Sequence, residues 1–193
     1  MISKFPVTTR SKPIVIGVPP VFARKTDPGL NFSQAIVLPA NFNVEQRYFA
    51  IEILPPELID DESSYVIAGD SQSLMAILMS SFYPIWVRAV GKLEQKKINP
   101  SMDYNNFPFP EFSKKQEKLL EEAGGRIHRA RGSLRGSTLS EAYKQPHLPE
   151  HLVMAHEELD RVVKGIFGLP ESATEEEIAQ KLFENYMVLF QKT

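Results

Sequence analysis

The chain has 193 residues, 42% of them hydrophobic and 24% charged, and no cysteine. That is enough for one large or two small domains with a real core, and it excludes disulfides, thiol catalysis and thiolate metal sites. Lysine and arginine total 22 against 24 acidic residues, so no global positive field announces a nucleic acid, and any DNA contact must come from local clusters.

The N-terminus, Met1 to Pro6, has no apolar run behind Lys4, so no signal peptide is expected and the protein reads as cytoplasmic. Residues 1 to about 69 carry short β-branched runs broken by proline: Ile14 to Ile16, Ala35 to Leu38, Tyr48 to Leu54 and Tyr65 to Ile67. These predict strands of a small antiparallel or mixed sheet, with prolines at the run ends, where a missing amide donor harms a ladder least. Arg10, Lys12, Arg24, Lys25 and Arg47 fall in or beside the connections and read as solvated loop charges. Leu54-Pro55-Pro56-Glu57 lacks the amide and aromatic that would bond and stack a flipped adenine, and Asp60-Asp61-Glu62 reads as a solvated turn.

Residues 71 to 90 are the most apolar stretch, with Leu74, Met75, Ile77, Leu78, Met79, Phe82, Tyr83, Ile85, Trp86 and Val87 covering nearly the whole circumference of a helix. Such a helix is buried on all sides. Ser80, Ser81, Pro84 and Arg88 interrupt it, leaving less than the run of about 18 apolar residues that a membrane span needs, so no membrane is expected. Asp70 or Ser71 supplies the N-cap, Pro84 kinks or splits the helix, and Gly91 ends it. An exposed loop or hairpin follows from Lys92 to Asp103. In Tyr104 to Glu111, Pro108 and Pro110 push Phe107 and Phe109 out of the α region, so the segment runs extended and buries the two rings between two modules.

Three capping boxes then mark helix starts: Ser113 with Gln116, Thr138 with Glu141, and Thr174 with Glu177. The first helix carries its stripe on Leu119, Ala123, Ile127, Ala130 and Leu134, the next on Leu152, Leu159, Val163 and Ile166, the last on Ile178, Leu182, Tyr186, Leu189 and Phe190. Gly124-Gly125 predicts a bend or fray in the first. Three long helices and one short one make a small bundle. The fold class is α+β: a small β-rich mixed domain built round a buried helix, residues 1–111, followed by an all-α helical bundle, residues 112–193.

No catalytic site is legible. The glycines do not form a phosphate loop, and His147, His151 and His156 have neither good facial spacing nor a carboxylate cage for a metal. Binding chemistry remains. Arg88, Lys92, Lys96 and Lys97 form a basic run suited to phosphates, and Gln95, Asn99, Ser101 and Asn105 are residue types that read base edges. A second run, Arg126, Arg129, Arg131 and Arg135, is interleaved with apolar core positions and reads as a solvated face.

Several linked motifs give a resemblance. Ser80-Ser81-Phe82, Trp86-Val87-Arg88-Ala89-Val90-Gly91-Lys92-Leu93 and Tyr104-Asn105-Asn106-Phe107-Pro108-Phe109-Pro110 stand in order, followed by Leu139 to Tyr143, Leu148-Pro149-Glu150, Ala155 to Val163 and Leu182 to Phe190. Together, from about Tyr48 to Phe190, they resemble the C-terminal part of the MmeI-like single-chain restriction-modification enzymes, whose target-recognition domain and helical C-terminal domain alone have counterparts here. Residues 1–46 match weakly, as suits a recognition domain that varies with its target. The resemblance implies a sequence-specific double-stranded DNA recognition module of a restriction-modification DNA (adenine-N6) methyltransferase, not catalytic alone. It also implies no cofactor in this chain, S-adenosylmethionine in the missing methyltransferase domain, and that domain of the parent enzyme as partner. After Gly91-Lys92-Leu93 the family continues with a short basic-Ser-aromatic run, where this chain has Glu94 to Pro100, so details of DNA contact do not transfer. The rival reading is a non-catalytic protein–protein docking module.

Overall fold

The computed structural model describes residues 10, 13–15, 21–22, 31–43, 45–60, 62–91, 97–134, 138–144 and 148–191. Among them lies a sheet of four antiparallel strands, β1 (Val21–Phe22), β2 (Ala35–Pro39), β3 (Glu52–Leu54) and β4 (Ser64–Ala68), in the order β1-β4-β2-β3. Ile36 pairs with Ile67 and Val37 with Val66. Successive side chains leave opposite faces of a strand, so Ile36, Leu38 and Ile67 enter the main core while Ala35, Val37 and Val66 close over Ile59, Phe32 and Leu54 on the other.

The sheet departs from expectation in three places. Tyr48 to Ile51 form no strand: Tyr48, Phe49 and Ile51 are buried by packing rather than by a ladder. Ile14 and Val15 lie in a bend, Ile14 buried, and Ile16 falls outside the described residues. The edge strand β1 is two residues long, too short to announce itself by alternation.

The buried helix is two helices, α1 (Gln72–Met79) and α2 (Phe82–Val90), meeting at 61°. Ser71 caps α1, its hydroxyl accepting from Leu74 N–H. The break falls at Ser80-Ser81, not at Pro84, because a proline ring clashes with the carbonyl four residues earlier, which is that of Ser80. Pro84 itself sits in the first turn of α2, where its missing N–H would have no intrahelical partner anyway. Gly91 ends α2, and a Cβ there would stand 2.5 Å from the Val87 carbonyl oxygen, so close approach demands the glycine. No helix among the described residues is long and apolar enough to cross a membrane.

Four further helices follow: α3 (Lys114–Arg131), α4 (Leu139–Lys144), α5 (Glu150–Ile166) and α6 (Glu175–Gln191). Each anticipated box forms. Ser113 and Gln116 bond reciprocally, as do Thr138 with Glu141 and Thr174 with Glu177. The α3 stripe is corrected by one position: Leu120 is fully buried with Ala123 and Ile127, whereas Leu119 is exposed and Leu134 lies beyond the helix end. The Gly124-Gly125 pair does not break α3. A Cβ on Gly124 would lie 3.4 Å from the Ala76 Cβ, so that glycine lets α3 approach α1 closely. On α6, Ile178, Leu182 and Tyr186 are buried but Phe190 is exposed.

One hydrophobic core runs through all of this, from Ile14 and Ile36 through Phe82 and Trp86 to Leu159 and Tyr186. α1 packs on α3 and α5, and α2 on α6. Residues 104–111 are less extended than their prolines suggest: Phe109 N–H bonds the Phe107 carbonyl at 2.9 Å, a tight turn centred on Pro108 whose fixed φ suits it. Phe107 is fully buried against Tyr83 and Trp86, and Phe109 against Tyr104 and Phe107. Phe107→Ala is therefore expected to lower stability by about 3–5 kcal/mol, read from urea unfolding of the whole chain. An unchanged midpoint would mean that this ring is not part of the cooperative core.

Candidate nucleic-acid interface

The segment carrying most of the anticipated DNA-contact residues stands on α2. Trp86 is fully buried, and its indole N–H donates to the Asp103 carbonyl at 2.8 Å, fixing the turn beyond the segment to the helix before it. Lys97 pairs in an isolated antiparallel bridge with Asn41. Ile98 is buried and its N–H donates to the Ala40 carbonyl. Asn99 then caps a single π-helical turn, Pro100–Tyr104, its side-chain oxygen accepting from Ser101 N–H at 3.1 Å. The Asp103 carboxylate closes that turn by accepting from Asn99 N–H at 2.6 Å, while its other oxygen has no hydrogen-bond partner among the described residues.

The eight anticipated residues divide. Lys97 and Asn99 are exposed and Ser101 is half-buried, on one short stretch. Lys92, Gln95 and Lys96 lie outside the described residues. Arg88 differs from the expectation: its guanidinium donates to the Gln46 carbonyl and to Glu175 in the first turn of α6, both at 3.1 Å, so it ties elements together. Asn105 differs too. It is 5% exposed, and its amide donates to the Arg10 carbonyl at 2.7 Å, leaving no edge for a base. Arg10 had read as a solvated loop charge, and no local signal could have joined it to a turn so far along the chain.

The arginine-rich helix is not a uniformly solvated face. Arg126 pairs with Glu158, but Arg131 reaches inward to the Ile51 carbonyl at 2.7 Å and the Tyr143 hydroxyl at 2.9 Å. Arg129 is exposed and Arg135 falls outside the described residues. His156 lies deep in the same polar network, with one ring nitrogen at the Tyr143 hydroxyl, the other at the Met79 carbonyl, and its ring stacked on Tyr48 at 4.1 Å. Tyr48 in turn donates to Asp160, whose other oxygen accepts from Ser81 N–H at 2.8 Å. His151 stands beside the Ser133 hydroxyl, and His147 is outside the described residues. Among the described residues no cluster of three potential metal ligands occurs.

Two family models together span almost the whole chain: the MmeI target recognition domain matches residues 9–111 and the MmeI C-terminal domain matches residues 112–192. The chain belongs to the MmeI family. It is 30% identical over 171 residues to DNA methyltransferase A of Bacillus subtilis (strain 168), a match covering 88% of this chain and 19% of that protein. Its structure resembles that of the type IIL restriction-modification enzyme MmeI solved in complex with DNA, with a TM-score of 0.76 and 27% identity over 82% of this chain and 22% of that one. The chain thus spans about a fifth of the length of the relatives it matches.

Two buried groups of this MmeI-family chain titrate with opposite sign. Burial, helped by the positive charge of Arg131, pulls His156 from 6.5 down to about 3, so the unfolded chain binds more protons in that interval and stability is lost as pH falls through it. Burial pushes the Asp103 carboxyl from 3.8 up to about 7 against the bond from Asn99 N–H, so the stability it contributes at low pH is lost as pH rises through that interval. Asp103→Asn should therefore gain on the wild type by about 1.4 kcal/mol per pH unit between about pH 4 and pH 7, and His156→Gln should blunt the acid loss below about pH 6.5. Urea midpoints measured at stepped pH check both slopes, and parallel curves for variant and wild type would refute them.

Proposed function

We propose that this chain is a sequence-specific double-stranded DNA recognition module of a restriction-modification DNA (adenine-N6) methyltransferase, with no catalysis of its own. The observation that carries the reading is the target-recognition match over residues 9–111, coupled to structural likeness to an MmeI solved with DNA. In this reading residues 1–111 form the recognition domain and residues 112–193 the helical C-terminal domain, a division supported by the meeting of the two matches at 111 and 112. The methyltransferase domain of the parent enzyme is the protein partner, and S-adenosylmethionine belongs there, as the kinship with DNA methyltransferase A supports.

The reading surface is the stretch from Lys92 to Ser101, in which Lys97 and Asn99 are exposed. Lys92, Lys96 and Lys97 take phosphates, while Gln95, Asn99 and Ser101 offer amides and a hydroxyl to base edges. Rigid support favours this assignment, since buried α2 ends at Gly91 and Ile98 is buried. Arg88, engaged with Gln46 and Glu175, and Asn105, engaged with Arg10, are left out of this set.

Duplex binding followed by fluorescence anisotropy tests the reading. Affinity should fall linearly with the logarithm of salt, and Lys96→Ala or Lys97→Ala should each weaken all sequences alike and reduce the slope by about 1. Gln95→Ala or Asn99→Ala, placed in the parent enzyme, should cost about 1–3 kcal/mol and relax one position of the methylated site. A chain with no salt-dependent duplex binding would instead be a protein-docking module.

A further inference from the structure

We propose that Arg10 belongs to the same DNA-facing surface as Lys97, Asn99 and Ser101, where its guanidinium takes a backbone phosphate, and that Asn105 is the positioning residue that holds it there. The inference rests on the DNA-recognition reading above. Arg10 is far from the π-turn in sequence but pinned to it in space: its N–H donates to the Ser101 carbonyl at 2.9 Å, and its carbonyl accepts from the Asn105 amide at 2.7 Å. Four residues on, Ile14 N–H donates to the Asn105 carbonyl at 2.6 Å, and the Ile14 side chain is buried. Three bonds therefore lay this N-terminal run along the Pro100–Asn105 turn, with Arg10 directly beside Ser101.

Charge points the same way. Arg10 is half-buried, and no described residue accepts a hydrogen bond or ion pair from its guanidinium. Asp103, the one acid between residues 97 and 105, is 1% exposed and turned inward to Asn99 N–H. Residues 1–26 include Lys4, Arg10, Lys12, Arg24 and Lys25 and no Asp or Glu. A chain of net charge −2 thus brings Arg10 and Lys97 to the edges of one polar stretch without an opposing exposed carboxylate in residues 97–105. A guanidinium is the side chain best matched to a phosphate, and a backbone fixed on both sides spares part of the ordering cost of such a contact. Asn105 is spent on the clamp, which gives this buried amide a partner.

The test uses the full chain and a labelled mixed-sequence duplex of about 30 base pairs, titrated from about 50 to about 200 mM salt. Arg10→Ala should weaken every duplex alike and lower the salt slope by about 1, and Arg10→Lys should keep the slope. Asn105→Ala should give the same loss, and the double variant no more than Arg10→Ala alone, because Asn105 acts through Arg10. An unchanged slope in Arg10→Ala overturns the proposal. That variant leaves both backbone bonds in place, so the test stands even if Asn105→Ala fails to fold. A slope lowered by Lys97→Ala but not by Arg10→Ala would sink this proposal and spare the DNA reading, whereas absence of duplex binding at every salt concentration would remove both.

Discussion

Trp86 is the side chain to which the rest of the molecule is referenced. Its ring packs against Phe107 on one side and against Phe183 and Tyr186 of α6 on the other, while its N–H reaches the Asp103 carbonyl. A buried indole N–H left without an acceptor costs about 1–3 kcal/mol, so the carbonyl of the π-turn cannot drift away cheaply. The last helix and the turn under the candidate interface are thereby indexed to one residue of α2. The start of α2 is held as firmly from elsewhere. Ser81 offers no side-chain cap there, and the Asp160 carboxylate of α5 takes its N–H instead, placing negative charge at the positive end of the helix dipole. A helix whose cap comes from α5 and whose ring contacts come from α6 is complete only when those C-terminal helices are in place.

Between the loop of residues 45–51 and the helices α3 to α5 runs one connected polar set: Arg47 with Glu157, Tyr48 with Asp160, His156 with Tyr143 and the Met79 carbonyl, and Arg131 with Tyr143 and the Ile51 carbonyl. Such a set adds little net free energy over well-packed apolar side chains. What it adds is exclusion of alternatives. A shift of α5 by one turn would strand a histidine, a carboxylate and a tyrosine hydroxyl without partners, each at the cost of a buried unsatisfied group. Apolar faces alone tolerate sliding far better, and a reading surface carried on them would slide too.

The sequence exposed local signals well and distant ones hardly at all. Ser113, Thr138 and Thr174 were legible as caps because a capping box is complete within four residues. The break of the buried helix was legible in kind but displaced by one turn, since the clash belongs to Ser80 and not to Pro84 itself. Tyr48 to Ile51 looked like strand because apolar residues needed by a core and by a ladder are the same residues; here they serve the core, with the Tyr48 hydroxyl on Asp160. The candidate interface shows the same limit. Lys97, Asn99 and Ser101 were proposed from residue type and position, whereas the bonds that occupy Arg88 and Asn105 run to Glu175 and Arg10, 87 and 95 residues away, beyond the reach of any local signal.

Net charge does not describe how charge is distributed over this mildly acidic chain. Glu175, Glu176 and Glu177 occupy the first turn of α6, where the helix dipole favours them, and Arg88 answers one of the three. Their position is thus set by helix stability. Among the described residues no acid pairs with Lys97, which lies exposed, and Asp103, the one acid of residues 97–105, is buried. With a screening length of about 8 Å at physiological salt, a charge approaching the turn responds chiefly to its immediate neighbours. The separation of charge along the chain, and not its net value, therefore sets the local field at the turn.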